Sequence, residues 1–508
     1  MQFTIAKEIF SGFACAVGAG RYFRRLFLLN NLVGTDIQRK TRLLLAGTPF
    51  GVTQGSMNTF KFFAVLWKEK GRVFLMLACG LGFSMTVSAS DDVTATEPEA
   101  WNFYGQVTHV TQWHGSFRSP YSGDNSLDGG SRHEATNDLT LYAGMRLWPG
   151  AELYANPEID EGFGLNNTLG MAGFSSGEAY KVGAHHPYLR LPRFFLRQTI
   201  DLSGNKQSLE SGANQLAGGR SENNLVFTLG KFAITDIFDT NIYAHDPRSD
   251  FLNWSIVDAG AFDYAADSWG YTKGLAAEWT QSWWTLRGGV FALSSQPNSE
   301  RLDSGFRQYA LVGEFEERHQ WWGNDGKFKV LGFINRGNMA SYTDAVRAGL
   351  TTGSVPDAGS VRRMQSRPGI AFNLEQALSS TVGMFARLSW NDGRKEAFDF
   401  TEINRSLSAG LSIGGAGWGR QEDKLGVAVA INGLSKEARQ YFSAGGMGIL
   451  IGDGQLNYGW EQILESYYSL PIAKDLRLTA DYQYVVNPAY NRDRGPVSIY
   501  AMRVHWDF

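Results

Sequence analysis

The chain has 508 residues, enough for two or three soluble domains or for one large barrel. Charged residues make up 19% of it, below the usual ~25%, while aromatics reach 13% and glycine 59 residues. A net charge of −3 leaves no basic field for nucleic acid, and the only cysteines, Cys15 and Cys79, precede residue 90, which excludes a disulfide framework or a cysteine-based metal site in the body of the chain.

The first hundred residues stand apart. Residues 68–90 read KEKGRVFLMLACGLGFSMTVSAS. Lys68, Lys70 and Arg72 form a positive segment, Val73 to Val87 an apolar one, and Val87-Ser88-Ala89 a small-residue cleavage site, which is the layout of a secretory signal. The apolar run is short for a transmembrane anchor. The expectation is therefore a signal peptide over 57–89 with translation from Met57, an extraneous extension over 1–56, a polar linker over 90–100, and one barrel over 101–508. After residue 100 no uninterrupted apolar run reaches the ~20 residues of a helical membrane span.

From Trp101 onward a period-two alternation recurs, as in strands with two unlike faces. In LTLYAGMRL, Leu139, Leu141, Ala143, Met145 and Leu147 share one face, and Thr140, Tyr142, Gly144 and Arg146 the other. AELYANPE places Leu153 and Ala155 outward, with Tyr154, Asn156 and Glu158 inward. GLAAEWTQSWWTLRGGVFAL reads as two strands around a tight turn near Gln281-Ser282, with Glu278 and Arg287 inward. STVGMFARLSWNDG sets Leu388 and Trp390 outward and Arg387 inward. The last strand, VSIYAMRVHWDF, aligns Tyr500, Met502, Val504, Trp506 and Phe508 on its apolar face.

Small, polar and charged residues opposite the apolar face suit a water-filled lumen, and aromatics at strand ends suit the two lipid–water interfaces. WGNDGK (322–327) and WNDG (390–393) read as tight turns, while residues 114–137 and 345–368 read as long loops. The fold expected is all-β: a transmembrane antiparallel up-and-down β-barrel of about 16 strands, with short periplasmic turns and long extracellular loops. A secreted soluble β-sandwich that binds sugar would alternate too, and is the rival fold.

Five phrases then occur in order: SFRSPYSGDNSLDGG (116–130), NPEIDEGFGLNNTLGMAGFSSGEAYKVG (156–183), RLPRFFLRQTIDL (190–202), LGKFAITDIFDTNIYAHDPRSDFLNW (229–254) and VVNPAYNRDRGPVSIYAMRVHWDF (485–508). Together they resemble the OprB-type carbohydrate-selective porins of Gram-negative outer membranes, from about Asn102 to Phe508. The resemblance implies a 16-stranded barrel in the outer membrane that admits glucose and related sugars by diffusion. Its partners would be sugars, outer-membrane lipid and the barrel assembly machinery, which would read the aromatic-ended strand from Tyr500 to Phe508. It leaves monomer or homotrimer open, and a general, non-selective porin is the nearest alternative.

A sugar pore needs hydrogen-bonding groups for hydroxyls and aromatic faces for the ring, with no nucleophile, cofactor or metal. No GxSxG elbow marks a hydrolase, and His185-His186 has no third ligand in register. Strand phase nominates Arg146, Asn156, Glu158, Arg193 and Arg197 for the constriction, then Glu278, Arg287 and Arg387, with Tyr154 and Phe195 to stack on the sugar. Inward Arg and Glu that only pair across the wall and set ion selectivity would look the same in sequence.

Overall fold

The computed structural model describes residues 98–179 and 182–508, together with the backbone of residues 61–69 and 72–80. The expectations for residues 1–56, and for most of 57–97, fall outside the described residues. Two units are present, 1–87 and 88–508. In the first, β1 (Lys61–Glu69) and β2 (Arg72–Gly80) pair as an antiparallel hairpin, Lys61 opposite Gly80.

The second unit is a closed barrel of sixteen strands, each antiparallel to its neighbours. The strands are β3 (Trp101–His114), β4 (Arg132–Trp148), β5 (Ala151–Gly162), β6 (Ala184–Leu209), β7 (Gly218–Phe232), β8 (Thr272–Gln281), β9 (Trp284–Ala292) and β10 (Tyr309–Trp321). They continue as β11 (Asn324–Met339), β12 (Arg363–Ala377), β13 (Val382–Asn391), β14 (Arg405–Gly414), β15 (Lys424–Gly433), β16 (Glu461–Ala473), β17 (Leu476–Val486) and β18 (Val497–Asp507). Closure comes from β18 against β3, with Ile499 opposite His114 and Asp507 opposite Gln106. A closed barrel has no free edge, so each strand has a partner on both sides.

Connections alternate between short and long, and the short ones mark the periplasmic end. Trp322 and Gly323 both have positive φ, 53° and 76°, the geometry of the tight hairpin turn that follows the twist of its strands. WNDG does not turn tightly. Asn391 ends β13 and Asp392 opens the loop to β14, because Asn391 spends its amide on the carbonyls of Ala261 and Ile403 and Asp392 is held by Arg394 and Lys395. The polar stretches 132–137 and 363–368 belong to strands, since the wall continues past the bilayer into water.

The expected face assignment holds along the wall. Leu286, Leu311, Leu388, Leu407 and Val429 are exposed on the outer face, and aromatics flank this belt. Trp101, Trp148, Trp283 and Trp322 lie at the short-turn end, and Trp113, Trp390 and Trp460 at the other. Tyr500, Met502 and Phe508 are exposed on the same outer face, with Val504 and Trp506 partly covered. Among the described residues no helix is long and apolar enough to cross a membrane; the strands do so.

Candidate lumen site

The longest connection, residues 233–271 between β7 and β8, folds into the barrel (loop L3). Its segment WSIVDAGAFDYAA (254–266) is almost wholly buried, and it includes the single helical turn α1 (Trp254–Val257). Inward side chains of the wall hold L3 from β10 round to β18. Glu314 accepts from Asp239 N at 2.8 Å, and Glu375 from Ile242 N at 3.0 Å. Arg367 pairs with Asp263. Glu465 takes Leu252 N at 2.5 Å and Asn253 N at 3.0 Å, and Arg503 donates to the carbonyls of Pro247 and Asp250 at 2.6 and 2.9 Å. One side of the wall is thus committed to the loop.

What remains is a cavity of about 610 Å³ between L3 and the inner faces of β4 to β8. Its lining includes Tyr142, Arg193, Phe195, Arg197, Val226 and Glu278 from the wall, and Asp236, His245, Arg248, Trp254, Asp258, Tyr264 and Tyr271 from L3. Glu178, Phe174 and Phe400 enter from other long loops, and Ala213, Asn214 and Gln215 from a short-side turn.

The lining mixes paired charges with aromatic faces. Arg193 grips Asp236 with a two-pronged ion pair, 2.6 and 2.8 Å, and its guanidinium lies 5.0 Å from the centre of the Tyr271 ring. Arg197 lies over the rings of Tyr154 and Phe195, 5.1 and 5.3 Å away, and donates to the Asn214 carbonyl at 2.8 Å. Trp254 is stacked between Phe174 and Phe400, with centroids 5.1 and 4.6 Å apart. Arg248 meets Glu178 at 3.2 Å. Burial works against ionisation of Asp246, yet Arg248 keeps its carboxyl below the usual carboxylate range. Burial likewise opposes a charge on His245, and the Asp258 carboxylate outweighs it, raising the imidazole above its usual value. His245 Nδ1 and Asp258 Oδ1 face each other at 3.6 Å, while the buried Trp254 Nε1 has no hydrogen-bond partner among the described residues. A ligand or water in the cavity would supply one.

Of the residues nominated from strand phase, Arg193, Phe195, Arg197 and Glu278 come together here. Tyr154 sits directly behind them, its ring 5.2 Å from that of Phe195. Asn156 is buried and donates to Asn214 at 3.0 Å; Glu158 is buried against Arg190 and 3.8 Å from Arg248. Arg146 lies nearer the short-turn end, pairing with Glu152 at 3.2 Å and donating to the carbonyls of Glu99 and Ala217. Arg287 belongs to a wall network with Glu278, Glu314 and Glu316 at 2.8 to 3.0 Å. Arg387 is buried beneath L3 and bonds Asp239, Ile256 O and Ala244 O. The loop's own contributions, Asp236, His245, Arg248, Trp254 and Tyr271, escape strand phase because they lie on no strand. A signal was present: 254–266 is rich in small and apolar residues, unlike the Ser-, Asn- and Asp-rich loop at 116–130.

The model of the family described as carbohydrate-selective porin, OprB family, matches residues 124–508. The high-pH structure of Pseudomonas putida OprB superimposes with a TM-score of 0.58 at 15% identity, covering 80% of this chain and 94% of that one, which shows the shared fold. The outer membrane channel DcaP of Acinetobacter baumannii matches at 12% identity with a TM-score of 0.44, over 80% and 97% of the two chains. OccK2 (OpdF) of Pseudomonas aeruginosa matches at 11% and 0.40, over 80% and 98%. No curated protein matches the chain in sequence.

Proposed function

Because the chain belongs to the OprB family of carbohydrate-selective porins, and so to the Gram-negative outer membrane, we propose that its lumen cavity is a sugar-selective diffusion site for glucose and related mono- and oligosaccharides. The observation that carries this is the pairing of ring-sized aromatic faces with ion-paired arginines around one cavity. A sugar offers a weakly apolar ring face and a rim of hydroxyls that both donate and accept. Tyr271 and Phe195 offer the ring an aromatic wall, with Trp254 held behind them between Phe174 and Phe400; Arg193 and Arg197 donate to hydroxyl oxygens, and Asp236 and Glu278 accept from hydroxyl hydrogens. Paired charges leave little net field, which suits a neutral solute better than an ion. Export by the signal at 57–89, and recognition of the Tyr500 to Phe508 strand by the assembly machinery, would bring the barrel to its membrane.

The test is single-channel conductance in a planar bilayer, titrated with glucose, a disaccharide and a charged solute. Saturable reduction of current by the sugars, with little effect from the charged solute, is the expected result. Tyr271→Ala should raise the half-blocking sugar concentration about fivefold, from the loss of roughly 1 kcal/mol of aromatic contact. Open channels that no sugar blocks would reduce the protein to a general pore.

A further inference from the structure

The connection between β6 and β7, residues 210–217, lies at the short-turn end but does not stay there. Gly212 and Gln215 bond each other across a miniature hairpin, 2.9 and 3.0 Å, and its tip turns inward so that Ala213, Asn214 and Gln215 line the lumen cavity from below. The other short connections whose residues are named above, such as Trp322-Gly323, contribute nothing to that lining.

The inturned hairpin is fixed from both sides. From the wall, Asn102 donates to Ser211, to Gly212 O and to Gln215 O at 3.1, 3.1 and 2.7 Å. Asn156 reaches Asn214 at 3.0 Å, and the Tyr154 hydroxyl takes Leu216 N at 3.2 Å. Leu216 is buried in the same apolar cluster as Tyr154 and Phe195. From the segment that leads into the barrel, the Glu99 carboxylate accepts from Ser211 at 2.6 Å and from Ala217 N at 2.8 Å, and Glu99 N donates to Ala217 O at 3.0 Å. Arg146 completes the latch by donating to the carbonyls of Glu99 and Ala217.

We propose that the inturned 210–217 hairpin, latched by Glu99 and Arg146, is a second constriction of the pore on the periplasmic side, setting the size of solute that leaves the cavity. The solute it acts on is the one the proposed function assigns, so the part about sugar rests on that reading; the narrowing itself does not. The many polar residues that hold it are explained by this role: a solvent-exposed connection needs no such anchoring, whereas one placed across a pore mouth must resist the passing solute. It also gives Asn156 and Arg146, which do not line the cavity, a part in pore geometry.

The experiment uses the full chain and reads ion conductance in KCl before any sugar is added. Ala213 is exposed, so Ala213→Cys, reacted with a bulky thiol reagent, should lose about a third to a half of its conductance, while wild type treated alike is unchanged. Replacing residues 211–216 by Asn-Gly should raise conductance about 1.5- to 2-fold and let larger oligosaccharides through. If the deletion does not fold, the cysteine variant alone decides. Labelled Ala213→Cys with wild-type conductance overturns the proposal. Changed conductance in a channel that no sugar blocks supports the constriction and removes only the sugar reading.

Discussion

Arg193 shows how much of the lumen's character rests on single side chains. Its guanidinium engages Asp236 with two bonds and at the same time lies against Tyr271, so it holds one corner of the cavity while neutralising it. Arg193→Ala leaves Asp236 without its counter-ion in a narrow lumen. Cation preference should rise, read as a shift in reversal potential across a salt gradient. The half-blocking glucose concentration should rise about tenfold, equivalent to ~1.4 kcal/mol, within the range of a hydrogen bond to a charged group. Arg193→Lys keeps the charge but loses the planar fork, so it should restore ion selectivity more fully than sugar block. Equal sugar block in all three proteins would show that Arg193 serves only to pair with Asp236. Strand phase alone could nominate Arg193 and Arg387 on equal terms, because both are inward arginines. Their uses differ because L3 lies against the wall from β10 to β18, which takes Arg387, and leaves β4 to β8 open, which keeps Arg193 on the cavity. That choice depends on a contact between chain segments far apart in sequence, and no local pattern records it.

L3 is the element on which the pore depends, and Arg387 is its central tether. The guanidinium bonds the Asp239 carboxylate at 3.2 Å and three loop carbonyls, and both partners of the ion pair are almost fully buried. Arg387→Ala strands Asp239 in the interior; breaking a buried pair from one side costs about 3–5 kcal/mol. Much of this falls on the loop rather than on the wall, whose ladders are intact. Channels should therefore still insert, with larger and noisier current, and a protease should cut L3 at a concentration that spares the wild type. Quiet channels of wild-type conductance would show that the remaining wall contacts suffice. Outside the membrane, a second element contact is sensitive to pH. Glu402, on the loop after β13, is buried and accepts from Ile449 N and Leu450 N on the loop after β15; burial outweighs these bonds and pushes its carboxyl up to about 7. Between about 4.5 and 7 the folded protein then holds a proton that the unfolded chain releases, so this contact loses stability as pH rises through that window and is level above it. Glu402→Gln should flatten that part of the dependence. The difference in thermal midpoint between variant and wild type should accordingly grow from pH 4.5 to 7, and a constant difference would contradict the assignment.

At the scale of the whole molecule, most of the barrel was legible because each strand meets lipid on one side and a polar lumen on the other, which imposes a period of two that survives any change in strand length. The strands' full lengths were not legible, since past the bilayer both faces meet water and the alternation loses its cause; for this reason β6 runs on to Leu209, past the β4–β5 turn at the short-turn end, with residues 201–208 exposed on both faces. The end of the chain is the point where local pattern and global closure coincide. Phe508 N donates to Gly105 O at 2.9 Å and Gly105 N to Phe508 O at 2.8 Å, so the last residue joins β18 to the first barrel strand. The Phe508 ring occupies the space over Gly105: a Cβ there would come within 2.5 Å of two ring atoms, which only glycine avoids. The ring also lies 4.7 Å from that of Trp506. Deleting Phe508 removes two closing hydrogen bonds and the aromatic contact at the seam, where no neighbouring strand can substitute. The folded fraction in the outer membrane should fall, measured as the band whose mobility shifts on boiling. Gly105→Leu should produce the same loss from the opposite side of the seam by displacing the ring. If the deletion lowers folded protein and Gly105→Leu does not, the effect of Phe508 lies in recognition of the free strand during assembly. If both lower it, the seam contact itself limits closure.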